Sequence, residues 1–177
     1  DSINKASMLG NTFLSRRGFT LSLQDLNVSE KVKEISRELI QKAEKKTSEI
    51  IEEFESGKMQ ADPGKTLDET REFRIMQILN GVITDVGATV KEHFPAEGNA
   101  THMIKSGSKG SLLNIAQMGC CLGQQSLWNK RISFGYNGRT LSFFKNGDFS
   151  HEGGGFVKSS YFKGLNPNEF FFCAITG

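Results

Sequence analysis

Two apolar stripes at helical spacing, separated by a turn cluster, constrain this chain more than any other feature. From Ser29 the apolar positions are Val32, Ile35, Leu39, Ala43, Ile50 and Phe54, the recurrence of a helix that buries one face. Ser29 suits an N-cap and Glu30 the first turn, giving a helix of about 28 residues that Gly57 ends. Ala61-Asp62-Pro63-Gly64 is a turn cluster. Thr66-Leu67-Asp68-Glu69 then reads as a capping box. A second stripe follows at Ile75, Leu79, Val82, Val86 and Val90, broadened by Met76, Ile83 and Phe94, until Pro95-Ala96-Glu97-Gly98. Two long helices joined by a short loop must lie antiparallel, so residues 29–98 are expected to form a helical hairpin projecting from a body. The charged faces of alternating sign read as solvated surface.

The flanking regions are mixed. Phe19, Leu21 and Leu23 alternate as in a half-buried strand over residues 13–28. Arg131 to Tyr136 and Arg139 to Phe144 flank Asn137-Gly138, the signal of a type I′ β-hairpin. Asn146 to Gly155 reads as a loop. Asn166-Pro167 opens a last helix, with Glu169 in its first turn and Phe170-Phe171-Phe172 presenting no polar face. The expected class is therefore α+β, mainly α: a long antiparallel helical hairpin followed by a mixed helix and β-hairpin segment.

Charge divides along the chain. The formal +2 is the balance of −3 over the first 99 residues and +5 over residues 100–177, where eight Lys and Arg face three acids. A basic half next to aromatic residues admits a polyanionic partner, although such an excess is common on inert surfaces. Cys120, Cys121 and Cys173 form neither a disulfide ladder nor a zinc spacing, and fit reduced thiols in a reducing compartment. His93, His102 and His151 add no ligand spacing. No metal site is read from the sequence. No run approaches the roughly 18 to 20 apolar residues of a membrane span, so no membrane partner is expected.

The glycine-rich segment 106–111 holds Lys109 between small residues, before Leu112, Ile115, Met118 and Leu122 at helical spacing. A P-loop would need Gly-Lys-Ser or Gly-Lys-Thr, and the order here is Lys-Gly-Ser. Small residues still let a backbone approach an anion, with a lysine to supply charge. The residues themselves leave a helix-start turn and a phosphate contact both open. Asn114, Gln117, Gln124 and Gln125 are read onto the same helix, with Gln117 and Gln124 seven apart on one face. Neutral amides could meet nucleotides, another chain or water.

Taken together, Gly107-Ser-Lys-Gly-Ser111, Asn114-Ile-Ala-Gln-Met118, Gly123-Gln-Gln125, Lys130-Arg131-Ile132, Phe134-Gly135, Arg139-Thr-Leu141, Gly155-Phe-Val157, Ser160-Tyr161, Gly164-Leu165 and Pro167 through Phe172 resemble the largest subunit of multisubunit DNA-directed RNA polymerases. Gly18-Phe19-Thr20 with Asp25 looks like the end of that family's pore segment. The resemblance is dense over residues 101–172 and positional over the hairpin, with the eukaryotic polymerase II type or the enzymes of large DNA viruses as the nearest pattern. Ser142 stands in place of a usual proline, Cys173 of a histidine and Thr176 of a glycine, and Trp128-Asn129 of a small, acidic insertion, as in a divergent lineage.

The resemblance implies four parts: 1–28, the end of the pore segment; 29–98, the funnel hairpin; 99–145, a channel-lining helix and β-hairpin; and 146–177, a loop and the start of the bridge-helix region. It implies a role in the funnel and secondary channel, where nucleotides enter and backtracked RNA leaves. Lys109 matches the basic residue facing the nucleotide triphosphate. Asn114, Gln117, Gln124, Gln125 and Ser126 are implied to face the channel and bridge helix, and the last four match positions beneath the bridge helix and trigger loop, where amatoxins bind in polymerase II. The catalytic aspartates lie outside this segment, so no catalytic residue is assigned, the chain alone should not polymerise RNA, and magnesium belongs to the intact enzyme. Implied partners are other polymerase subunits, DNA template and RNA, nucleoside triphosphates, and a transcript-cleavage factor at the hairpin tip, Glu52 to Asp68. The implied location is intracellular: the nucleus, or a viral factory or virion. The absent initial methionine and the end after an apolar run read as cuts within a larger subunit. The alternative is a coiled-coil adaptor whose basic half binds nucleic acid on its own.

Overall fold

The computed structural model of the chain describes residues 1–95, 97–132, 135 and 137–177. It is mainly helical, with six α-helices among the described residues: α1 (Ser2–Arg17), α2 (Glu30–Glu55), α3 (Leu67–His93), α4 (Asn99–Ser106), α5 (Leu112–Gly119) and α6 (Pro167–Thr176). Four two-residue strands form two antiparallel pairs: β1 (Gly123–Gln124) with β4 (Phe156–Val157), and β2 (Ser126–Leu127) with β3 (Lys130–Arg131).

The hairpin forms where the stripes place it. Ser29 caps α2, its hydroxyl accepting from the Val32 amide. Thr66 and Glu69 close the capping box of α3, with the Thr66 amide donating to Glu69 Oε2 at 2.8 Å. Val32, Ile40 and Ala43 of α2 pack with Ile75, Leu79, Val82, Val86 and Val90 of α3 in one buried cluster. The joining loop is pinned rather than loose, because Asp62 bonds Arg74 at 2.6 Å and its amide donates to Thr70 Oγ1 at 3.0 Å.

The hairpin does not project from a body, since α3 packs on α2 and also on α5, β1 and β3. The residues that broaden the α3 stripe explain this. Ile83 faces β1 so closely that a Cβ on Gly123 would lie 3.2 Å from the Ile83 Cβ. Helix α3 is the spine of the molecule.

One local expectation is overturned and a second is met only in part. The strand expected over residues 13–28 is absent: α1 runs to Arg17, Gly18 turns the chain at φ +72°, and a 3-10 turn occupies Leu23–Leu26. Phe19, Leu21 and Leu23 are exposed, so their alternation has no sheet to pack on. In the expected β-hairpin, Asn137 and Gly138 both have positive φ, as a type I′ turn requires. Its downstream arm, however, is turn over residues 140–144, and in its upstream arm Ser133, Phe134 and Tyr136 lie outside the described residues. The two-residue hairpin that does form is β2–β3, with Trp128 and Asn129 at φ +47° and +62° between Leu127 and its partner Lys130. Of the Phe run, Phe172 is buried and Phe170 and Phe171 are exposed.

Candidate functional site

The residues singled out by sequence fall into two groups around α5. At its start, Gly107 closes α4 in the left-handed conformation and Gly110 also has positive φ. On either side of Gly107 the hydroxyls of Ser106 and Ser108 donate to the Met103 carbonyl at 3.0 and 3.2 Å. This turn holds Lys109 exposed at the surface. Ser111 caps α5, accepting from the Asn114 amide at 3.3 Å, and its hydroxyl makes a short contact to Asn114 Oδ1. The Asn114 side chain is thereby engaged in the cap.

The second group is not on the helix. Helix α5 stops at Gly119, where the Cys120 and Cys121 amides both donate to the Ala116 carbonyl. Gly119 lies close against the segment before α2: a Cβ on it would lie 2.9 Å from Val28 Cγ1 and 3.1 Å from the Leu26 carbonyl oxygen, which reserves the position for glycine. The chain then leaves to pair with residues 155–159, the Leu122 amide donating to Ser159 and the Gln125 amide to Gly155. Gln117 and Gln124 therefore do not share a helix face. Gln117, half-buried on α5, gives its main-chain carbonyl to the Tyr161 amide at 3.3 Å. Gln124 and Gln125 straddle the end of β1 and Ser126 begins β2. The Gln124 amide nitrogen donates to the carbonyls of Gln125 and Gly154 at 2.6 and 2.8 Å. Gln125 Oε1 meets the Thr176 hydroxyl at 3.0 Å. Lys109 and Asn114 thus lie at one end of α5, and Gln124, Gln125 and Ser126 follow the other.

Sequence reading missed the charged groups that join the two halves of the chain. Arg131 is buried and bidentate on Glu72, with Nε to Oε2 and Nη2 to Oε1 both at 2.9 Å, while Nη1 donates to the Phe149 and Ser150 carbonyls at 3.1 Å each. Gly154 covers this guanidinium so tightly that a Cβ there would meet Nη1 at 2.3 Å. Arg71, also buried, pairs with Asp68 at 2.9 Å and Glu72 at 3.2 Å, and lies over the Phe54 and Phe149 rings at 4.3 and 3.7 Å. Burial pushes the Glu72 carboxyl up, but the hydrogen bond and charge of Arg131, with Arg71, outweigh it and hold it below its ordinary value.

A second group sits between α2 and β4. Lys158 bridges Glu44 at 2.7 Å and Glu152 at 2.8 Å, and His151 Nε2 lies 3.3 Å from Glu44. Burial depresses the His151 pKa despite the neighbouring carboxylates. Lys130-Arg131 was visible in the sequence, but its partner 59 residues away was not. These pairs change the reading of the charge split: Arg131 and Lys158 of the basic half are spent on Glu72 and Glu44 of the acidic hairpin.

A cleft of about 540 Å³ beside the first group of charges is lined by Lys65, Phe73, Met76, Lys130, Ile132 and Phe149 among others. The cysteines are free thiols, and burial raises Cys121 to about 12, which makes it a packing residue rather than a nucleophile. Among the described residues, no group of three His, Cys, Asp or Glu is arranged to hold a metal ion, and no helix is long and apolar enough to cross a membrane.

The chain matches the model for RNA polymerase Rpb1, domain 4, over residues 50–157, more than half its length. It is 40% identical over 175 residues to the DNA-directed RNA polymerase subunit Rpo1N of Halococcus morrhuae, covering 99% of this chain and 50% of that protein. It is 41% identical over 161 residues to the Rpo1N subunit of Methanocaldococcus jannaschii, covering 91% of this chain and 12% of that protein. The DNA-directed RNA polymerase III subunit RPC1 of Plasmodium falciparum is 36% identical over 175 residues, covering 99% of this chain and 8% of that protein. The chain thus spans half or less of each of these relatives. With the domain match running from the end of α2 through β4, the chain belongs to the RNA polymerase Rpb1 domain 4 family.

Proposed function

We propose that this chain is part of the largest subunit of a DNA-directed RNA polymerase, a nucleotidyltransferase, and forms its funnel and secondary channel. In this reading residues 1–28 end the pore segment, 29–98 form the funnel, 99–145 line the channel, and 146–177 lead to the bridge helix. The family match supports the subunit. The carrying observation for the site is the glycine-bounded turn that holds Lys109 exposed at the head of α5, a backbone open to an anion with a cation beside it.

The partners of this reading are the other polymerase subunits, DNA template, RNA, nucleoside triphosphates, and a cleavage factor at the loop between α2 and α3. Magnesium serves the intact enzyme. Among the described residues no group of three His, Cys, Asp or Glu is arranged to hold a metal ion, and in this reading the magnesium ligands belong to other parts of the subunit. Ser142, Cys173, Thr176 and Trp128-Asn129 support a divergent lineage, and the eukaryotic polymerase II or large-DNA-virus type, acting in the nucleus, a viral factory or a virion, rests on the sequence resemblance alone. The adaptor alternative loses ground because Arg131 and Lys158 are engaged by the hairpin.

Lys109→Ala tests the site in a complete polymerase. Loss of one charged phosphate contact should raise the apparent KM for nucleotide about tenfold, the scale of a hydrogen bond to a charged group, with the saturated rate little changed. Elongation kinetics unchanged across nucleotide concentrations would remove Lys109 from the role. Salt-sensitive binding of RNA or DNA by the isolated chain would instead favour the adaptor.

A further inference from the structure

Helix α6 docks through one face, and each contact is of a different kind. Glu169 Oε1 accepts from the Lys158 and Ser159 amides at 3.0 Å each, and its Oε2 accepts from the Asn166 amide at 2.9 Å. Phe172, buried, stacks on Phe144 with ring centroids 5.8 Å apart and approaches Gly155. One turn later the Thr176 hydroxyl meets Gln125 Oε1 at 3.0 Å. Positions 169, 172 and 176 share a face by helical spacing, and Phe170, Phe171 and Ile175 are exposed. The first two contacts fix the front and middle of the helix. Among the described residues, Thr176 ties its last turn to the glutamine pair.

The chemistry of that contact is reciprocal. Thr176 Oγ1 also lies 3.2 Å from the Phe172 carbonyl and 3.1 Å from the Cys173 carbonyl, yet a hydroxyl has a single proton to donate. With that proton on the helix carbonyls, the hydroxyl oxygen can accept from the Gln125 amide turned over, and the turn gives up only a 3.5 Å bond to the Gly123 carbonyl. In either orientation Thr176 and Gln125 are joined, and the helix end fixes which way the amide points. Gln125 in turn continues through its own carbonyl to Gln124, which holds Gly154.

We propose that Thr176 is a positioning residue. Its hydroxyl locks the last turn of α6 to Gln125, adding to the Glu169 and Phe172 contacts a third that holds this turn beside the end of β1. Its effect on nucleotide addition rests on the proposed polymerase role, because there α6 leads into the bridge helix beside the channel.

The test uses the assembled polymerase carrying Thr176→Val, which keeps the shape and removes the hydroxyl, and Thr176→Ser, which restores it. Amide exchange in the last turn of α6 should quicken about fivefold in the valine variant, the factor expected of one ordinary hydrogen bond, and return with serine. The saturated elongation rate should shift in Thr176→Val with the KM for nucleotide unchanged, and serine should rescue it. Exchange equal to wild type in the valine variant overturns the lock. Faster exchange, with the KM for nucleotide still raised by Lys109→Ala but the saturated rate unchanged in Thr176→Val, overturns the positioning role. If Lys109→Ala leaves the KM unchanged and Thr176→Val leaves the saturated rate unchanged, the polymerase reading of both sites fails while the lock stands.

Discussion

The α2–α3 hairpin and the segment from Gly119 to Ser160 are held by opposite means. Between the two helices the contacts are apolar, repeated and local, with Ile75, Leu79 and Val86 fully buried. From Gly119 onward the strands are two residues long, too short to stabilise themselves. Their shape comes from single polar groups: Arg131 under Gly154, Gln124 on Gly154, the Thr140 hydroxyl on the Gly153 carbonyl at 2.8 Å, and Glu169 on two main-chain amides. A stripe spreads its stabilisation over many side chains, so each is partly redundant. A clamp concentrates it, so losing one group releases a whole loop.

Four changes sharpen or break this contrast. Leu79→Ala should have the largest effect on stability, about 3 kcal/mol for a fully buried leucine, measured by urea unfolding, and should leave the 149–155 loop intact in amide exchange until global unfolding. Arg131→Met should cost roughly 2–3 kcal/mol, below the full cost of breaking a buried pair because Glu72 retains some exposure. Its exchange signature should be the converse, with the 149–155 loop opening first. Gly154→Ala should cost about 2 kcal/mol by overpacking the guanidinium, and pairing it with Arg131→Met should be less than additive. If the two costs simply add, Gly154 does not act through Arg131.

The smallest effect is pH. The folded His151 pKa is depressed below 6.5, so the unfolded chain takes up a proton first and stability falls as pH drops through 6.5. His151→Gln should flatten that part of the profile. Glu72, also depressed, contributes above its unfolded value near 4.5 and loses that contribution as pH falls further through its folded pKa. Urea midpoints at pH 7.5, 6 and 4 check both, and a His151→Gln profile identical to wild type between 7.5 and 6 would discard the histidine effect.

The same contrast decides what was legible in the sequence. Ser29, Thr66 with Glu69, and Asn166 with Glu169 carry their structural meaning within four residues, and the two stripes within a turn, so the hairpin and α6 could be read directly. The Phe19, Leu21, Leu23 alternation looked equally local, but a strand needs a partner and these residues found none. The end of α5 was hidden for a similar reason. Apolar spacing runs on to Leu122, while beyond Gly119 the chain leaves the helix to pair with residues 155–159, which lie distant in the sequence. Lys109 was visible because its glycine neighbours are adjacent. The engagement of Gln124 with Gly154 and of Gln125 with Thr176 was not, because both partners arrive from distant turns.

The Arg131 clamp also orders events in time. One guanidinium gathers residue 72 and residues 149–150, so it closes only after a loop of 59 residues on one side has come together, an entropic cost that long-range contacts recover late. The hairpin can form from neighbours alone and then offers Glu72 as a ready anchor. Substitutions in the clamp should therefore act mainly by accelerating unfolding and leave the folding rate nearly untouched, whereas substitutions in the α3 stripe should slow folding itself.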